Sequence, residues 1–260
     1  MRELFDEVAS QSAGDPMESA RRSSRAVLRK RFYASAGTGE ADGGFTVTLD
    51  GKPIKTPSGR TVVVPVRSLA EMIAAEWNAQ GEFIEPLTMP VTRFANSVVQ
   101  GVSDNVSAVI DDVAKYFGSD LLFYRAGHPK GLVARETEHW DPVLFWGAQT
   151  LGAHFILAEG VMHVRQPDQA IAAARAALPD DSWAIGALHV ITTLTGSALL
   201  SLALFHGVIG PAQAWAAAHV DEDWNAEKWG VDEETATRKA AKLVDFNAVV
   251  AVLKALRQGG

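Results

Sequence analysis

The residue types best able to do chemistry are seven histidines and a run of carboxylates that opens at Asp221. The histidines are His128, His139, His154, His163, His189, His206 and His219. None of them forms the pair four residues apart, around a glutamate, with which one helix face holds zinc and polarises water. A histidine alone in an Ala/Leu-rich stretch, such as His189 or His206, reads as a hydrogen-bonded core residue. No metal and no cofactor is therefore expected. The glycines do not form a phosphate cradle: neither GxxxxGK[ST] nor a GxGxxG between strand and helix occurs, and the loop GTGEADGG has no helix behind it. Ser197 lies in TGSALL, outside a GxSxG elbow. No catalytic residue is named on these grounds.

The carboxylates suggest recognition. From Asp221 to Arg238 there are seven acids and two bases. On a helix Asp221 and Trp224 share a face, as do Trp224 and Glu227, and Glu222 and Trp229 two turns apart. Aromatic anchors beside acids suit a protein-binding surface, where tryptophan supplies area and carboxylates pair with a partner's Arg or Lys. Asp221, Glu222, Trp224, Glu227 and Trp229 are the candidate partner-binding residues. The competing reading packs both tryptophans into the core and leaves the acids solvated. An acid–base catalytic pair lacks a second polar cluster to complete a mechanism.

Those residues need a scaffold, and its elements can be read from pattern. Residues 1–28 form an arm with a short helix at 2–10. It runs into RRSSRAVLRKR, residues 21–31, which carries six bases and no acid. That tract is either a solvated arm or a patch for a partner or nucleic acid. Strands are expected at 32–33, 45–49, 54–56 and 61–64, with a Gly-rich loop at 37–44 and turns at Asp50-Gly51 and Ser58-Gly59. A helix over 69–80, with Ser68 as its N-cap, closes a small α/β module near residue 90. Residues 49–90 read as a shaped surface. Helices then dominate, at 91–102, 106–116, 141–151, 166–177, 184–205, 211–229 and 233–256, with short extended pieces near 120–124 and 155–164. The fold class is α+β: an arm (1–28), a small α/β domain (29–90) and a mostly helical domain (91–260).

Composition narrows the function. A formal charge of −7 opposes general nucleic-acid binding, which needs a basic face. The absence of cysteine removes disulfides and thiolate chemistry and suits a reducing compartment. The N-terminus has no apolar signal core and carries Glu3, Asp6 and Glu7, so a cytoplasmic, bacterial protein is expected. Residues 182–220 hold no Asp, Glu, Lys or Arg and could span a bilayer by length. Threonines, Gly196, His189 and His206 interrupt them, and no Lys/Arg cluster flanks either end. Two buried helices, broken near Gly196 or at 207–211, are expected, with no stable membrane insertion.

Several segments, in order, resemble one family. They are KRFY (30–33), LDGKPIKTP (49–57), LAEMIAAEWNAQGEFIEPLTMPVTRFAN (69–96), DLLFYRA (120–126), HWDPVLFW (139–146) and DEDWNAEKWG (221–230). The chain resembles the assembly chaperones of the ATP synthase catalytic head that handle the alpha subunit before it joins beta. The resemblance implies a non-enzymatic monomer that binds newly made alpha, shields its unassembled interface and releases it as beta takes its place. It also implies a functional acid just ahead of the last tryptophan motif, at Asp221 or Glu222, where relatives often carry Glu. Relatives tend to have Gln where this chain has Glu136, and a Gln near Asn225. The alternative from another class is a small-molecule enzyme with a pocket in an interdomain cleft lined by Arg135, His139 and Asp141. A third reading is a membrane-associated factor using 182–220.

Overall fold

The computed structural model describes residues 28–259; the arm and the basic tract up to residue 27 lie outside the described residues. The first strands form an antiparallel sheet in which β2 (Gly44–Leu49) is central. β1 (Ala36–Ala41) pairs along it with Ala36 opposite Leu49, while β3 (Lys52–Pro53) and β4 (Val63–Val64) pair with its two ends. β1 occupies the stretch expected to be a Gly-rich loop. Its Gly37 and Gly39 lie beside the Thr48 and Thr46 side chains, and pairing along β2 outweighs their poor strand propensity. Residues 32–33, expected as a strand, are not one; the chain just before them pairs with 82–84 through Arg31 N to Glu82 O and Ile84 N to Arg29 O, 2.9 Å each. The Asp50-Gly51 turn is as expected: φ is +48° and +80°, the geometry of a two-residue hairpin loop.

Helix α1 (Arg67–Asn78) packs Leu69, Ala70, Ile73 and Ala74 on the sheet. It begins after buried Val66, two residues earlier than a Ser68 cap would place it. Its far end is tied down from several sides. The Arg31 guanidinium donates to the carbonyls of Tyr33, Ala34, Asn78 and Gln80. The Asn78 amide exchanges two 2.8 Å hydrogen bonds with the Ala36 backbone. Gln80 donates to Glu76 O and Thr88 Oγ1 and accepts from Glu85 N. Glu76 makes the decisive link. Its carboxylate accepts from Val91 N and Thr92 N at 2.7 Å and from Thr92 Oγ1 at 2.6 Å. It therefore caps α2 (Pro90–Ser97), where an anion offsets unpaired N–H groups and the helix dipole.

The remainder is helical. α2 continues into a π-helical turn (Val98–Val102) and is followed by α3 (Val106–Tyr116). β5 (Tyr124–Arg125) pairs in parallel with β6 (Ala158–Glu159); β6 lies within the expected stretch at 155–164, whereas most of 120–124 is a short 3-10 turn (Leu121–Phe123) and β5 begins only at its end. Between them runs α4 (Lys130–Trp146), which starts well before the expected residue 141. Pro142 inside this helix and a polar first half hide its periodicity. Then come α5 (Asp168–Ala176), α6 (Ser182–Thr195), α7 (Ala198–Phe205), α8 (Pro211–Ala218), α9 (Val220–Trp229) and α10 (Glu233–Gly259). Gly196, at φ +71°, separates α6 from α7, and His219 separates α8 from α9. The first part of the uncharged stretch is thus core: α7 is buried over Ala198–Leu204, and α6 is buried along most of its length, while 206–208 and 211–213 are exposed. Among the described residues no helix is long and apolar enough to cross a membrane.

One buried polar group organises this core. Asp120 is fully buried and accepts from Leu122 N (3.2 Å) and, across the molecule, from Leu199 N (3.0 Å) in the first turn of α7. Burial pushes its carboxyl up to about 6, against the pull of those donors. α10 returns over α6 and reaches α1 and α2, where Arg93 and Asp245 pair at 2.5 Å. The buried apolar residues form one cluster, from Tyr33 to Ala255.

Glu76→Ala should lower stability to urea by about 2 kcal/mol, because it uncaps α2 and orphans a hydroxyl. Glu71→Ala, on the exposed face of α1, should stay within about 0.5 kcal/mol of the parent. Equal losses for the two would remove Glu76 from its bridging role.

Candidate functional site

The acidic run forms α9, which lies across α4. The approach is close: a Cβ on Gly131 would stand 2.5 Å from the Trp224 ring, so only glycine admits the indole here. Arg135 and Lys228 each place a cation 5.0 Å from that ring. Arg135 also forks onto Glu227 with two 2.7 Å hydrogen bonds, and this guanidinium holds the Glu227 carboxyl below its usual range. Asp223 pairs with Lys239 of α10. On the α4 side, Trp140 Nε1 donates to Ala217 O at 2.7 Å, joining α4 to α8.

Asp221 sits against Glu136. Its Oδ1 is buried without a hydrogen-bond partner among the described residues. Glu136 is buried, accepts from Ala126 N (2.9 and 3.2 Å) and lies 3.6 Å from the Arg125 guanidinium. Burial raises both carboxyls above their ordinary range; Asp221 further opposes the ionisation of Glu136, whereas the contact with Glu136 pulls Asp221 part of the way back down. Glu222 is exposed, 3.9 Å from the His219 ring. Trp229 is 86% exposed at the end of α9, ahead of exposed Val231.

The five candidates therefore separate into two sets. Asp221, Trp224 and Glu227 face α4, whereas Glu222 and Trp229 face solvent. Trp224 is half-buried against α4, outside the main core, and Trp229 is exposed. Glu136, Gly131 and Arg135 complete the arrangement. Glu136 was noted in sequence only as a departure from relatives, and Gly131 carried no signal there. Of the residues proposed to line an enzymatic cleft, Arg135 is engaged by Glu227, and Asp141 by Arg125 at 2.7 Å. No cluster of His, Asp and Glu among the described residues could hold a metal ion.

A groove of about 900 Å³ lies elsewhere, between the β2–β3 hairpin, the end of α1 and the start of α2. Phe32, Tyr33, Leu49, Ile54, Trp77 and Met89 give it an apolar lining, with Arg29, Lys52, Lys55 and Arg93 as its cations and Asp50 as its acid. Residues 49–90 were expected to form a shaped surface, but no single residue among them pointed to this groove. It exists only once 28–33, 49–57 and 84–96 come together.

A family model described as ATP12 chaperone protein matches residues 30–148. The crystal structure of Atp12 from Paracoccus denitrificans is similar at a TM-score of 0.80 and 38% identity, covering 86% of this chain and 97% of that one. A candidate chaperone from Agrobacterium tumefaciens is 46% identical with a TM-score of 0.85, covering 98% of this chain and 97% of its own. The chain belongs to the ATP12 chaperone family. The mitochondrial protein atp12 of Schizosaccharomyces pombe is 22% identical over 218 residues, 79% of this chain and 75% of its own length. The α+β architecture, with a small N-terminal sheet and a larger helical region, is that of the Atp12 structures.

In this member of the ATP12 chaperone family the Glu136–Asp221 contact has a consequence for pH. Unfolded carboxyls titrate near 4. The folded pair, and Asp120 at about 6, take up protons at higher pH. Between those values these three groups bind more protons in the native state, so their contribution to stability is largest below the folded values and falls as pH rises through them. Urea unfolding should accordingly show lower stability at about pH 7.5 than at about pH 5. Glu136→Gln can donate to Asp221 and still accept from Ala126 N. It should gain about 1 kcal/mol at the higher pH and flatten part of the slope, leaving the Asp120 contribution. An unchanged slope would mean that the two carboxyls do not oppose one another.

Proposed function

We propose that this chain is an assembly chaperone of the ATP synthase catalytic head, which binds the unassembled alpha subunit and keeps it from aggregating until beta replaces it. Membership of the ATP12 chaperone family supports the class. The observation that carries the surface is Trp229, 86% exposed at the tip of a helix seated rigidly on α4 and rich in acids. An orphan subunit of an obligate assembly exposes a large apolar interface and aggregates through it. A rigid aromatic anchor flanked by carboxylates can cover part of such a face at little entropic cost, and a small contact leaves the client displaceable.

Glu222 and Trp229 are the groups that touch the client, and Asp221, Trp224 and Glu227 hold α9 in the orientation that presents them. The chain acts as a monomer in the cytoplasm, without cofactor or catalysis. Residues 29–90 and 91–260 are its two working parts.

Co-expression with the cognate alpha subunit, followed by size-exclusion chromatography, tests this. The parent should co-elute with soluble alpha. Trp229→Ala should reduce the complex about tenfold, and Glu222→Gln less, with thermal stability of the free chaperone unchanged. Full retention of complex by both variants would move the contact away from α9. Alpha that stays insoluble with the parent would remove the proposed function.

A further inference from the structure

We infer that the groove between the β2–β3 hairpin and α2 is a second docking surface for the alpha subunit, taking a segment that carries apolar side chains beside carboxylates. The inference rests on the alpha-binding reading above and adds the chemistry of a second contact.

The lining sets that chemistry. The groove of about 900 Å³ has a floor of buried apolar residues, Tyr33, Leu49, Ile54, Ile84 and Met89, with Phe32 standing 54% exposed beside them. Such surfaces mark binding sites. The protein carries −7 overall, yet the groove gathers Arg29, Lys52 and Lys55 against Asp50 alone, its fourth cation, Arg93, being paired with Asp245. Asp50 is already satisfied by the Ser35 and Ala34 N–H groups. The Lys52 and Lys55 side chains are exposed and form no ion pair or hydrogen bond among the described residues. Two further lining donors, Trp77 Nε1 and Arg93 Nε, are buried without an acceptor among the described residues. Donors and cations thus exceed acceptors around an apolar floor, and the complementary occupant brings carboxylates and backbone carbonyls with apolar side chains.

The walls are preorganised by the Arg31, Glu76 and Gln80 network, so little ordering cost falls on binding. The groove and α9 also carry opposite charge, so they select different segments of one client. Two weak linked contacts hold a client far more tightly than either alone, yet each can be displaced in turn.

The test uses the full chain with p-benzoylphenylalanine replacing Phe32, co-expressed with alpha. Irradiation of the co-eluting complex should give a cross-link to alpha, mapped by mass spectrometry to a segment with Asp or Glu beside apolar residues. Lys52→Glu with Lys55→Glu should cut the cross-link yield about tenfold without changing the fold of these exposed positions. Co-elution with no cross-link to alpha overturns the inference and leaves the proposed function standing. So does a cross-link to residues 1–27 of the same chain, or one to a bound small molecule. Loss of co-elution in the parent removes the proposed function, and the groove reading with it.

Discussion

The Glu76 carboxylate is the joint on which the molecule turns. It sits near the end of α1 and closes the first turn of α2, so the sheet module and the helical region meet at a fixed angle. A flexible loop between Asn78 and Pro90 would leave that angle free. Gln80, Thr88 and the Arg31 guanidinium instead tie the loop to the helix end it leaves. Because most of these bonds involve a backbone group, the arrangement specifies main-chain geometry and leaves the nearby Lys52 and Lys55 side chains without an ion pair among the described residues. That division explains why the groove is both rigid and unfilled.

A similar division runs through α9. Trp224 meets Gly131 at a distance no other residue allows, and Arg135 serves both the indole and Glu227. Asp221 faces a second carboxyl, an arrangement that costs stability at neutral pH and is retained beside a helix with an exposed tryptophan. Under the chaperone reading the cost is understandable: the seat of the helix, rather than its outward face, absorbs the strain of presentation. The structure thereby separates residues that shape the surface from those that form it.

Much of this architecture was legible in the residues. Asp50-Gly51 demands positive φ, and the strand pattern around it leaves a two-residue hairpin as the only economical turn. The uncharged stretch at 182–220 folds as buried helices because Gly196 and the threonines interrupt any longer span. β1 was hidden because glycines carry no strand signal, and their place was decided by threonines on β2. The first half of α4 was hidden by Pro142 and by polar residues that pair with β5 and α9 instead of showing a clean apolar stripe. At the candidate site, helix spacing grouped the five residues correctly on α9. It could not say which faced inward, since that depends on Gly131 and Glu136, far away in the chain. The groove was illegible for the same reason: its walls come from separate segments that meet only through the Glu76 joint.

The central claim is that this chain keeps the unassembled alpha subunit soluble. Light scattering by purified alpha, diluted from denaturant alone or with an equimolar amount of the full chain, tests it most directly. The account predicts that scattering is suppressed, and that later addition of beta releases the chaperone without renewed aggregation. Scattering that is the same with and without the chain would contradict it.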